Sequence, residues 1–404
     1  MSDKYGDSAM VIVVGGGPAG LTAAIALAEG GIPTVLVGRR PDQPDNRTTA
    51  LLAGSVTALE TLGVWGSCAA RAAPLKVIRI VDDTGRLWRA PEVKFEAKEI
   101  DLEAFGYNIE NRDLVKALVD RARTLSNVTI VDDEVLAVEP GHEAVAVSLK
   151  SGTTLRAPLV IGADGRKSMC RSAAGIEMEE RNYLQVAMTL CLRHSRPHRD
   201  TSTEFHTATG SFTLVPLRED RSSLVWVIDA ADADRLVALD DVELANEIER
   251  ASHSILGKIE LEPRRSVFPL HVAMARHFAA QRIALVGEAA HVIPPIGAQG
   301  LNLGLRDAAA IGELAVAAHR SGDDIGAVEV LARYNTMRRA DVVTRSFAVD
   351  LLNRTLLSDF LPAQGARGLG LYLVDRIGPL RRAVMREGVA PATAQPRLMR
   401  GEAL

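Results

Sequence analysis

Two glycine-rich loops carry the residues whose types and spacing suit chemistry with an anionic group. The first loop reads Gly15-Gly16-Gly17-Pro18-Ala19-Gly20, and the second runs from Gly287 to Asp307 with further glycines at 297, 300 and 304. A glycine-rich loop that opens a helix offers unpaired backbone N–H groups and the positive end of the helix dipole. Pyrophosphate oxygens or an electron-rich ring would fit there. The first loop alone is typical of any dinucleotide-binding protein.

The first loop needs a strand before it and a helix after it. Residues 11–14 are rich in β-branched side chains, residues 21–28 have helical composition, and residues 34–37 predict a second strand. The pattern is a β-α-β unit. The apolar run 10–38 is long enough to imitate a membrane span, but its glycines argue against one. The leader lacks a basic flank and a cleavage site, so we expect no secretion.

Composition excludes several other classes of protein. The 404 residues include 47 basic and 51 acidic side chains, which gives a net charge of −4 and no general attraction to nucleic acid. Cys68, Cys170 and Cys191 are too few and too widely spaced for a disulfide framework or a metal site. We expect buried free thiols, no metal and a cytoplasmic location.

A third motif narrows the identity of the dinucleotide. Residues 159–171 contain Ala-Asp-Gly-x-x-Ser-x-x-Arg, from Ala163 through Asp164 and Gly165 to Arg171. The three motifs together resemble the FAD signature of the class A flavin aromatic monooxygenases, and the second loop is most similar to the UbiH/UbiF-type ubiquinone-biosynthesis hydroxylases. This resemblance covers nearly the whole chain. It implies an α/β fold: a glutathione-reductase-like FAD-binding Rossmann domain with an inserted mixed β-sheet substrate domain and a helical C-terminus.

The resemblance also implies FAD as cofactor and NAD(P)H as reductant. Arg47, in an Arg-x-x-Ala-Leu segment, would approach the pyrophosphate, and either Asn111 or Arg112 would reach the cofactor from the start of a helix. Asn111 fits a plain N-cap equally well. The predicted cofactor-binding residues are Gly15, Gly17, Pro18, Ala19, Gly20, Arg39, Arg47, Arg112, Asp164, Gly165, Gly287, Glu288, Pro295, Gly297, Gln299, Gly300, Leu301 and Asn302.

Two of the expected acidic contacts to FAD are altered in this chain. The acidic residue that commonly closes the second strand and binds the ribose is Gly38 here. Arg39 or Arg40 beside it would instead face the diphosphate or a 2'-phosphate, and plain surface charge is the open alternative for both. The family's aspartate on the ribityl chain is Glu288, which is one methylene longer. Hydrogen bonds to charged groups contribute about 1.5–3 kcal/mol each, so the two changes predict FAD affinity lower by about a hundredfold or more.

In the family, NAD(P)H reduces the FAD and a flavin C(4a)-hydroperoxide then hydroxylates a phenol. Such a reaction needs dioxygen, exclusion of water and a group that accepts the phenolic proton. Candidates for that group are His206, Glu204 and Tyr183, for each of which an ordinary packing or surface role is an open alternative. We expect His291 to pack within its loop.

The coarse organisation divides the chain into four parts. Strands predicted at residues 186–192, 203–207, 212–217 and 223–228 form a second sheet. We expect the first part of the FAD-binding domain over residues 1–180, with 76–105 contributing to the substrate side. The substrate-binding sheet covers 181–275, the second part of the FAD-binding domain 276–330, and a C-terminal helical region 331–404.

The C-terminal region is basic and apolar at once. From Arg333 onward there are twelve arginines and six acidic residues, beside many leucines at positions 351–374. Helices of this kind either pack against the FAD domain or rest on an anionic membrane surface, where a prenylated phenol would be found. Membrane contact would place the protein at the inner face of the membrane.

The sequence therefore predicts an FAD-dependent monooxygenase that hydroxylates a hydrophobic, polyprenylated phenol in ubiquinone biosynthesis. Three alternatives stay open: a hydroxylase of a soluble aromatic compound, a flavin-dependent reductase of prenyl chains, and a flavin-poor, non-catalytic scaffold of a quinone-biosynthesis complex. A biosynthetic complex or a homo-oligomer is a further possible assembly.

Overall fold

The computed structural model describes residues 10–39, 47–85, 91–295, 297–357, 370, 372–373, 376–389 and 395–404, with backbone only for 346–357. The strands are β1 (Val11–Val14), β2 (Thr34–Val37), β3 (Thr48–Leu52), β4 (Ala73–Pro74), β5 (Val77–Asp82), β6 (Val93–Glu96), β7 (Gly106–Glu110), β8 (Val128–Val131), β9 (Val135–Pro140), β10 (Val145–Leu149), β11 (Thr154–Ala157), β12 (Leu159–Gly162), β13 (Met178–His194), β14 (Thr201–His206), β15 (Ser211–Pro216), β16 (Arg221–Asp229), β17 (Ile259–Leu261), β18 (Ser266–Ala275), β19 (Ala279–Ala280), β20 (Ile283–Leu285) and β21 (His291–Val292).

The helices are α1 (Pro18–Glu29), α2 (Ala53–Thr61), α3 (Asn111–Thr124), α4 (Met169–Ala173), α5 (Ala230–Ala238), α6 (Asp241–Ala251), α7 (Gln299–Ser321), α8 (Val328–Leu357) and α9 (Gly378–Val389), with short 3₁₀ turns between some of them. No helix within the described ranges is long and apolar enough to cross a membrane.

A six-stranded sheet in the order β19-β20-β12-β1-β2-β8 forms the centre of the nucleotide-binding part. β1 pairs in parallel with both β2 and β12, as a β-α-β unit requires. All four residues of β1 are buried, as expected for a central strand of a sheet that is covered on both faces. Helices α1 and α7 pack against each other. The predicted β-α-β unit is confirmed.

The second sheet has nine strands, β21-β18-β13-β16-β15-β14-β5-β6 with β17 beside β13. The strands predicted near 186–192, 203–207, 212–217 and 223–228 correspond to β13 to β16, within a few residues at most ends. β5 and β6, from residues 77–96, join its far edge through a parallel pairing of β5 with β14. Helices α5 and α6 cover one face, where Leu236, Leu244 and Ile248 are buried.

A small sheet, β3-β7-β4, connects the two large ones. Asn108 on β7 donates from Nδ2 to the Pro216 carbonyl (2.9 Å) and lies 3.1 Å from the Ser223 hydroxyl on the nine-stranded sheet. On the same side of that sheet, the Arg221 guanidinium pairs with Glu110 at 3.0 Å. The face of the nine-stranded sheet opposite α5 and α6 is therefore turned toward the nucleotide-binding part.

Candidate functional site

The first glycine loop is shaped by close backbone contacts. A Cβ on Gly15, which has φ +120°, would lie 2.1 Å from the Ala163 carbonyl oxygen, and one on Gly20 would lie 2.0 Å from the Gly15 oxygen. Gly17 differs, since a Cβ there would meet no described atom within 4 Å. Gly17 is also the N-cap of α1, and no described side chain caps that end. Free backbone donors therefore face an open space there.

The same close packing explains the absent carboxylate after β2. A Cβ on Gly38 would lie 2.4 Å from the Gly16 nitrogen, so any side chain would displace the loop. Arg39 pairs with Glu134 at 3.1 Å and is largely exposed. The role of Arg39 at the diphosphate thus stays a prediction that would require exchange of this partner.

The second loop meets the first helix directly. Gly287, with φ +63°, donates its N–H to Asp307 Oδ2 at 2.9 Å. A Cβ on Gly304 would stand 3.2 Å from the Gly287 Cα and 3.4 Å from the Ala19 Cβ. The N-cap of α7, Ala298, is left-handed, and no described side chain caps that end either. Two uncapped helix N-termini therefore start from loops that touch, an arrangement that fits the pyrophosphate and the ring carbonyls of FAD.

The predicted contacts near the start of α7 divide into backbone and side-chain groups. Pro295, Gly297, Gly300 and Leu301 lie in the loop or in the first turn of α7, and a Cβ on Gly297 or Gly300 would meet no described atom within 4 Å. The Gln299 amide donates to the Gly297 carbonyl at 3.0 Å. The open backbone of this segment can approach a ligand closely.

Asn302 holds the small sheet to α7. Its amide donates to the Ala50 carbonyl (2.8 Å) and the Ala298 carbonyl (2.5 Å), and its oxygen accepts from the Leu52 N–H (2.9 Å). The side chain is nearly inaccessible to solvent. In this structure Asn302 positions the backbone around the cofactor site, and a direct contact to FAD stays a prediction.

Asp164 caps the short helix α4. Its carboxylate accepts from the Ser168 hydroxyl (2.6 Å) and from the N–H groups of Met169 (2.8 Å) and Cys170 (3.1 Å). The adjacent Gly165 has φ +78° and open space at its Cβ position. Arg171 donates to the Ala289 carbonyl at 3.0 Å and so connects this loop to the second glycine-rich loop, here also called the second flavin loop.

Glu288 forms a two-point ion pair with Arg166. Each carboxylate oxygen lies 3.2 Å from a guanidinium nitrogen, and both side chains are partly exposed. The pair joins the second loop to the loop of Asp164. The predicted contact of Glu288 with the ribityl chain would compete with this pair.

The Arg47 segment lies beside the start of α3. The Asn111 N–H donates to the Arg47 carbonyl at 2.9 Å, and the Thr49 hydroxyl lies 2.5 Å from Asn111 Oδ1. The N-cap of α3 is Glu110, so the N-cap assignment of Asn111 is wrong by one residue. Arg112 pairs with Glu110 at 2.7 Å.

A buried charge cluster behind the second loop escaped sequence analysis. Asp307 has no exposed surface and contacts His291 Nε2 at 2.6 Å and Arg338 Nε at 2.7 Å. Burial alone would raise the pKa of Asp307, but the charges of His291 and Arg338 and their hydrogen bonds hold it below its usual value. The cluster fixes the backbone of Gly287. His291 is buried, as a packing role requires, but its partner is Asp307 of α7. Arg338 is far from Asp307 in the sequence, so no local pattern indicated that the two side chains meet.

A second carboxylate extends the cluster toward α8. Asp341 accepts from Arg338 Nη1 at 2.7 Å and from Arg345 Nε at 2.9 Å. Burial opposes its ionisation, yet the charges of Arg338 and Arg306 lower the pKa of Asp341 to about 2. Arg345 also reaches Gln299 at 3.5 Å. Charge on α8 is thereby linked to the first turn of α7.

The three proton-acceptor candidates divide into two groups. His206 Nε2 and Glu204 Oε1 are 3.0 Å apart, and the imidazole is buried. Both residues lie on the face of β14 that is turned toward the nucleotide-binding part. Tyr183 lies three strands away, packed with Phe268 in a separate apolar cluster. The structure pairs His206 with Glu204 and leaves Tyr183 apart from them.

Gln185 is a further polar residue on that face. It is 4% exposed, and its Oε1 has no hydrogen-bond partner among the described residues, while its amide donates to the Thr209 carbonyl. It lies within an irregularity in the pairing of β13 with β18, between Asn182 and Val186. No motif in the sequence marks it, since its burial depends on the fold of the sheet.

The cysteines have the properties of structural thiols. Burial raises the pKa of Cys68 and of Cys191 to about 11, and that of Cys170 well above its usual value. A thiol with a raised pKa is a poor nucleophile near neutral pH. Within the described ranges, no group of residues could hold a metal ion.

Comparison with known proteins decides the family. A family described as an FAD binding domain matches residues 8–346. The ubiquinone hydroxylase UbiL of Rhodospirillum rubrum is 36% identical over 410 aligned residues, which cover 99% of this chain and 94% of the relative. This chain belongs to the ubiquinone hydroxylase family of FAD-dependent monooxygenases. The 3-demethoxyubiquinol 3-hydroxylase of Escherichia coli is 32% identical, with 93% of this chain and 97% of that protein covered.

Solved structures confirm the fold of this family member. The p-nitrophenol 4-monooxygenase PnpA of Pseudomonas putida superposes with a TM-score of 0.76 at 21% identity, covering 95% of this chain and 99% of that one. A single-residue variant of HpxO from Klebsiella pneumoniae, solved in complex with FAD, gives 0.75 at 19% identity and the same coverage. The predicted fold class, FAD as cofactor, NAD(P)H as reductant and monooxygenase activity are confirmed.

Proposed function

We propose that the monooxygenase hydroxylates a polyprenylated phenol on the route to ubiquinone. The observation that carries the proposal is the meeting of the two uncapped helix N-termini, with the polar pair His206–Glu204 on the sheet face turned toward them. The family relationship supports a phenolic substrate and dioxygen. FAD, when bound, would accept the electrons of NAD(P)H and activate dioxygen.

The residues of the chain position the reactants. Backbone donors of the two loops hold the cofactor, and Asn302 fixes the strand beside it. If His206 donates its Nε2 proton to Glu204, its Nδ1 accepts the phenolic proton and Glu204 stabilises the resulting charge. The buried amide oxygen of Gln185 is a second acceptor for a ring hydroxyl.

An exposed apolar stripe on the C-terminal helix supports a membrane-located substrate. Leu380 and Val384 lie on α9, and Leu373 and Ile377 precede it at matching spacing; the four are 38–46% exposed, while Met385 of α9 is buried against Ile100 and Phe105. We call these four residues the stripe of α9. Exposed arginines at 376 and 386 flank the stripe. An amphipathic helix of this kind rests on an anionic bilayer, here the inner face of the membrane. Several of the leucines noted at 351–374 lie outside the described residues.

The test compares a phenol that carries a short prenyl chain with a small phenolic acid. With FAD, NAD(P)H and air, we expect the prenylated phenol to gain one oxygen atom by mass spectrometry and to consume one NAD(P)H per product. Efficient turnover of the small acid would instead identify a hydroxylase of soluble aromatics. Failure to bind FAD at any concentration would indicate a scaffold, and consumption of NAD(P)H with a reduced prenyl chain under anaerobic conditions would indicate a reductase.

A further inference from the structure

A basic pocket of about 420 Å³ opens on the face of the nine-stranded sheet away from the cofactor site. Four cationic side chains line it, those of Arg79, Lys94, Arg196 and Arg199, above a floor that includes Leu214 and Leu256. None of the described residues that line it is acidic. A cationic rim over an apolar floor suits an anionic group attached to an apolar body.

The cations on the sheet edge are held in place by one carboxylate. Arg79 makes a two-point pair with Glu92 at 3.0 and 2.7 Å, and Lys94 Nζ lies 3.2 Å from the same side chain. Four cations against the single charge of Glu92 leave an excess of three positive charges around the pocket. Glu92 orients this pair without neutralising the rim.

Arg196 is fixed by a neighbouring turn. A Cβ on Gly257, which has φ +72°, would lie 2.3 Å from the Ser195 hydroxyl, so only glycine fits there without a shift. The Arg196 N–H donates to the Leu256 carbonyl at 3.0 Å, and its guanidinium reaches the Ser254 carbonyl at 3.3 Å. These contacts hold Arg196 at the mouth of the pocket before any ligand arrives.

Arg199 is presented by a strained turn. Arg199 and Asp200 are both left-handed, with φ of 52° and 55°, a conformation that is costly for residues other than glycine. The Asp200 carbonyl accepts from the N–H groups of Lys76 (2.9 Å) and Val77 (3.2 Å), and the Asp200 N–H donates to His198 Nδ1 (3.1 Å). These bonds hold the turn that carries Arg199 beside the pocket.

The pocket and the apolar stripe of α9 lie on opposite sides of one edge strand. On β6, Lys94 pairs with Arg79 at the pocket, whereas the adjacent Phe95 lies in the cluster that includes Met385 of α9. Arg381 of α9 donates to the Lys94 carbonyl and stands 4.7 Å from the Phe95 ring centre. The pocket and the stripe therefore both border the edge strand β6 of the nine-stranded sheet.

We propose that this pocket binds the phosphate of an anionic phospholipid while the stripe of α9 rests on the membrane. The proposal builds on the membrane contact in the proposed function and adds a specific headgroup site. Arg196 and Arg199 contact the phosphate oxygens, and the apolar floor takes the first part of the glycerol ester. Contact between arginine guanidinium groups and phosphate is charge-assisted and geometrically specific.

The first test is sedimentation of the FAD-loaded protein with phosphatidylcholine vesicles that do or do not contain phosphatidylglycerol. The double variant Arg196→Gln/Arg199→Gln should bind the anionic vesicles at least tenfold more weakly, since each arginine near such a surface contributes about 1 kcal/mol. A matched control, Arg123→Gln/Arg156→Gln, removes the same charge from exposed positions elsewhere and should change binding by less than twofold. An equal loss in the control would overturn a specific site.

The second test separates the pocket from the helix and from catalysis. Dihexanoyl phosphatidylglycerol, used below its micellar concentration, should bind the wild-type protein and the stripe variant Leu380→Gln/Val384→Gln equally in a calorimetric titration. It should not bind Arg196→Gln/Arg199→Gln. Binding of inorganic phosphate alone, or no binding of the short lipid, would refute the headgroup site. Because neither readout needs turnover, an error in the assigned reaction would leave both results interpretable.

Discussion

The second flavin loop and the nine-stranded sheet build their parts of the site by opposite means. In the loop, Gly287 has a left-handed φ of +63° and a Cβ on Gly304 would stand 3.2 Å from its Cα, so backbone geometry favours glycine at both positions. In the sheet, His206, Glu204 and Gln185 are brought to one face by strand pairing, and many other residue types would maintain the same fold. The spacing of the glycines therefore identifies the cofactor that a whole family shares. The side chains that bind a particular substrate follow no common motif, so the sequence does not identify them in the same way.

The largest expected effect concerns the crowded backbone. Gly20→Val places a side chain 2.0 Å from the Gly15 carbonyl oxygen, so we expect no folded, FAD-binding protein. Gly17→Ala is the matched control, because its Cβ meets open space; that variant should fold normally and bind FAD more weakly. Circular dichroism and FAD titration measure both results, and a folded Gly20→Val protein would contradict the packing argument.

The buried cluster behind the loop should dominate stability. Asp307→Asn removes the buried charge that pairs with both Arg338 and His291 and leaves Asp341 as the remaining carboxylate partner of Arg338, so we expect the free energy of unfolding to fall by about 3 kcal/mol. Urea denaturation measures the change. Asp323→Asn, on an exposed position after α7, should stay within about 0.5 kcal/mol of the wild type. A small effect at Asp307 would mean that hydration replaces the lost pair.

The corresponding test on the sheet concerns chemistry. His206→Phe should lower the rate of phenol hydroxylation about a hundredfold, the low end for loss of a proton acceptor, and leave the FAD dissociation constant unchanged. Glu204→Gln should also lower the rate, because it removes the carboxylate that accepts the hydrogen bond of the imidazole and stabilises its charge once it has taken the phenolic proton. If both variants retain full activity, the pair is structural and the acceptor lies elsewhere.

The free energy of unfolding at low pH tests the contribution of Asp341, the carboxylate that extends the buried cluster to α8. The pKa of Asp341 is about 2 in the folded protein against 3.8 for an ordinary aspartate, so its ionised form contributes about 2 kcal/mol of stability. Because the folded value is the lower one, the contribution is complete above pH ~4 and is lost as the pH falls toward 2. Asp341→Asn should lose this pH-dependent increment, which denaturation at a series of pH values would show.

The smallest effect is expected at the pair between the loops. Glu288→Asp restores the shorter side chain of the family and should tighten FAD binding by about tenfold, the value of one hydrogen bond to a charged group. Arg166→Gln provides the comparison, since it removes the competing partner of Glu288. Unchanged affinity in both variants would show that Glu288 does not limit FAD binding.

Sequence reasoning succeeded where local rules decide the structure. The strand and helix around Gly15–Gly20 follow from β-branched runs and glycine placement, and β13 to β16 follow from alternating apolar residues between polar turns. The resemblance of residues 159–171 then supplied FAD, which spacing alone had left undecided. The glycines were informative because their constraint is steric and local.

It failed where the contact joins distant parts of the chain. Asp307 and Arg338 lie on different helices, and nothing in either neighbourhood indicates that they meet. The pairing of Glu288 with Arg166 depends on the approach of two loops that are far apart in sequence. Likewise, Gly38 suggested only a missing carboxylate, and the contact with Gly16 that excludes any side chain there becomes visible in three dimensions.

The hydrogen bonds between Asn302 and β3 affect how the two parts of the molecule can move. From the start of α7, hydrogen bonds run through Asn302 to β3, across to β7 and through Asn108 to the nine-stranded sheet. Because this series of hydrogen bonds is continuous, we expect the nucleotide-binding part and the nine-stranded sheet to move as one rigid body. We expect no hinge motion between them. We therefore expect substrate to enter without a large movement of one part of the molecule against the other.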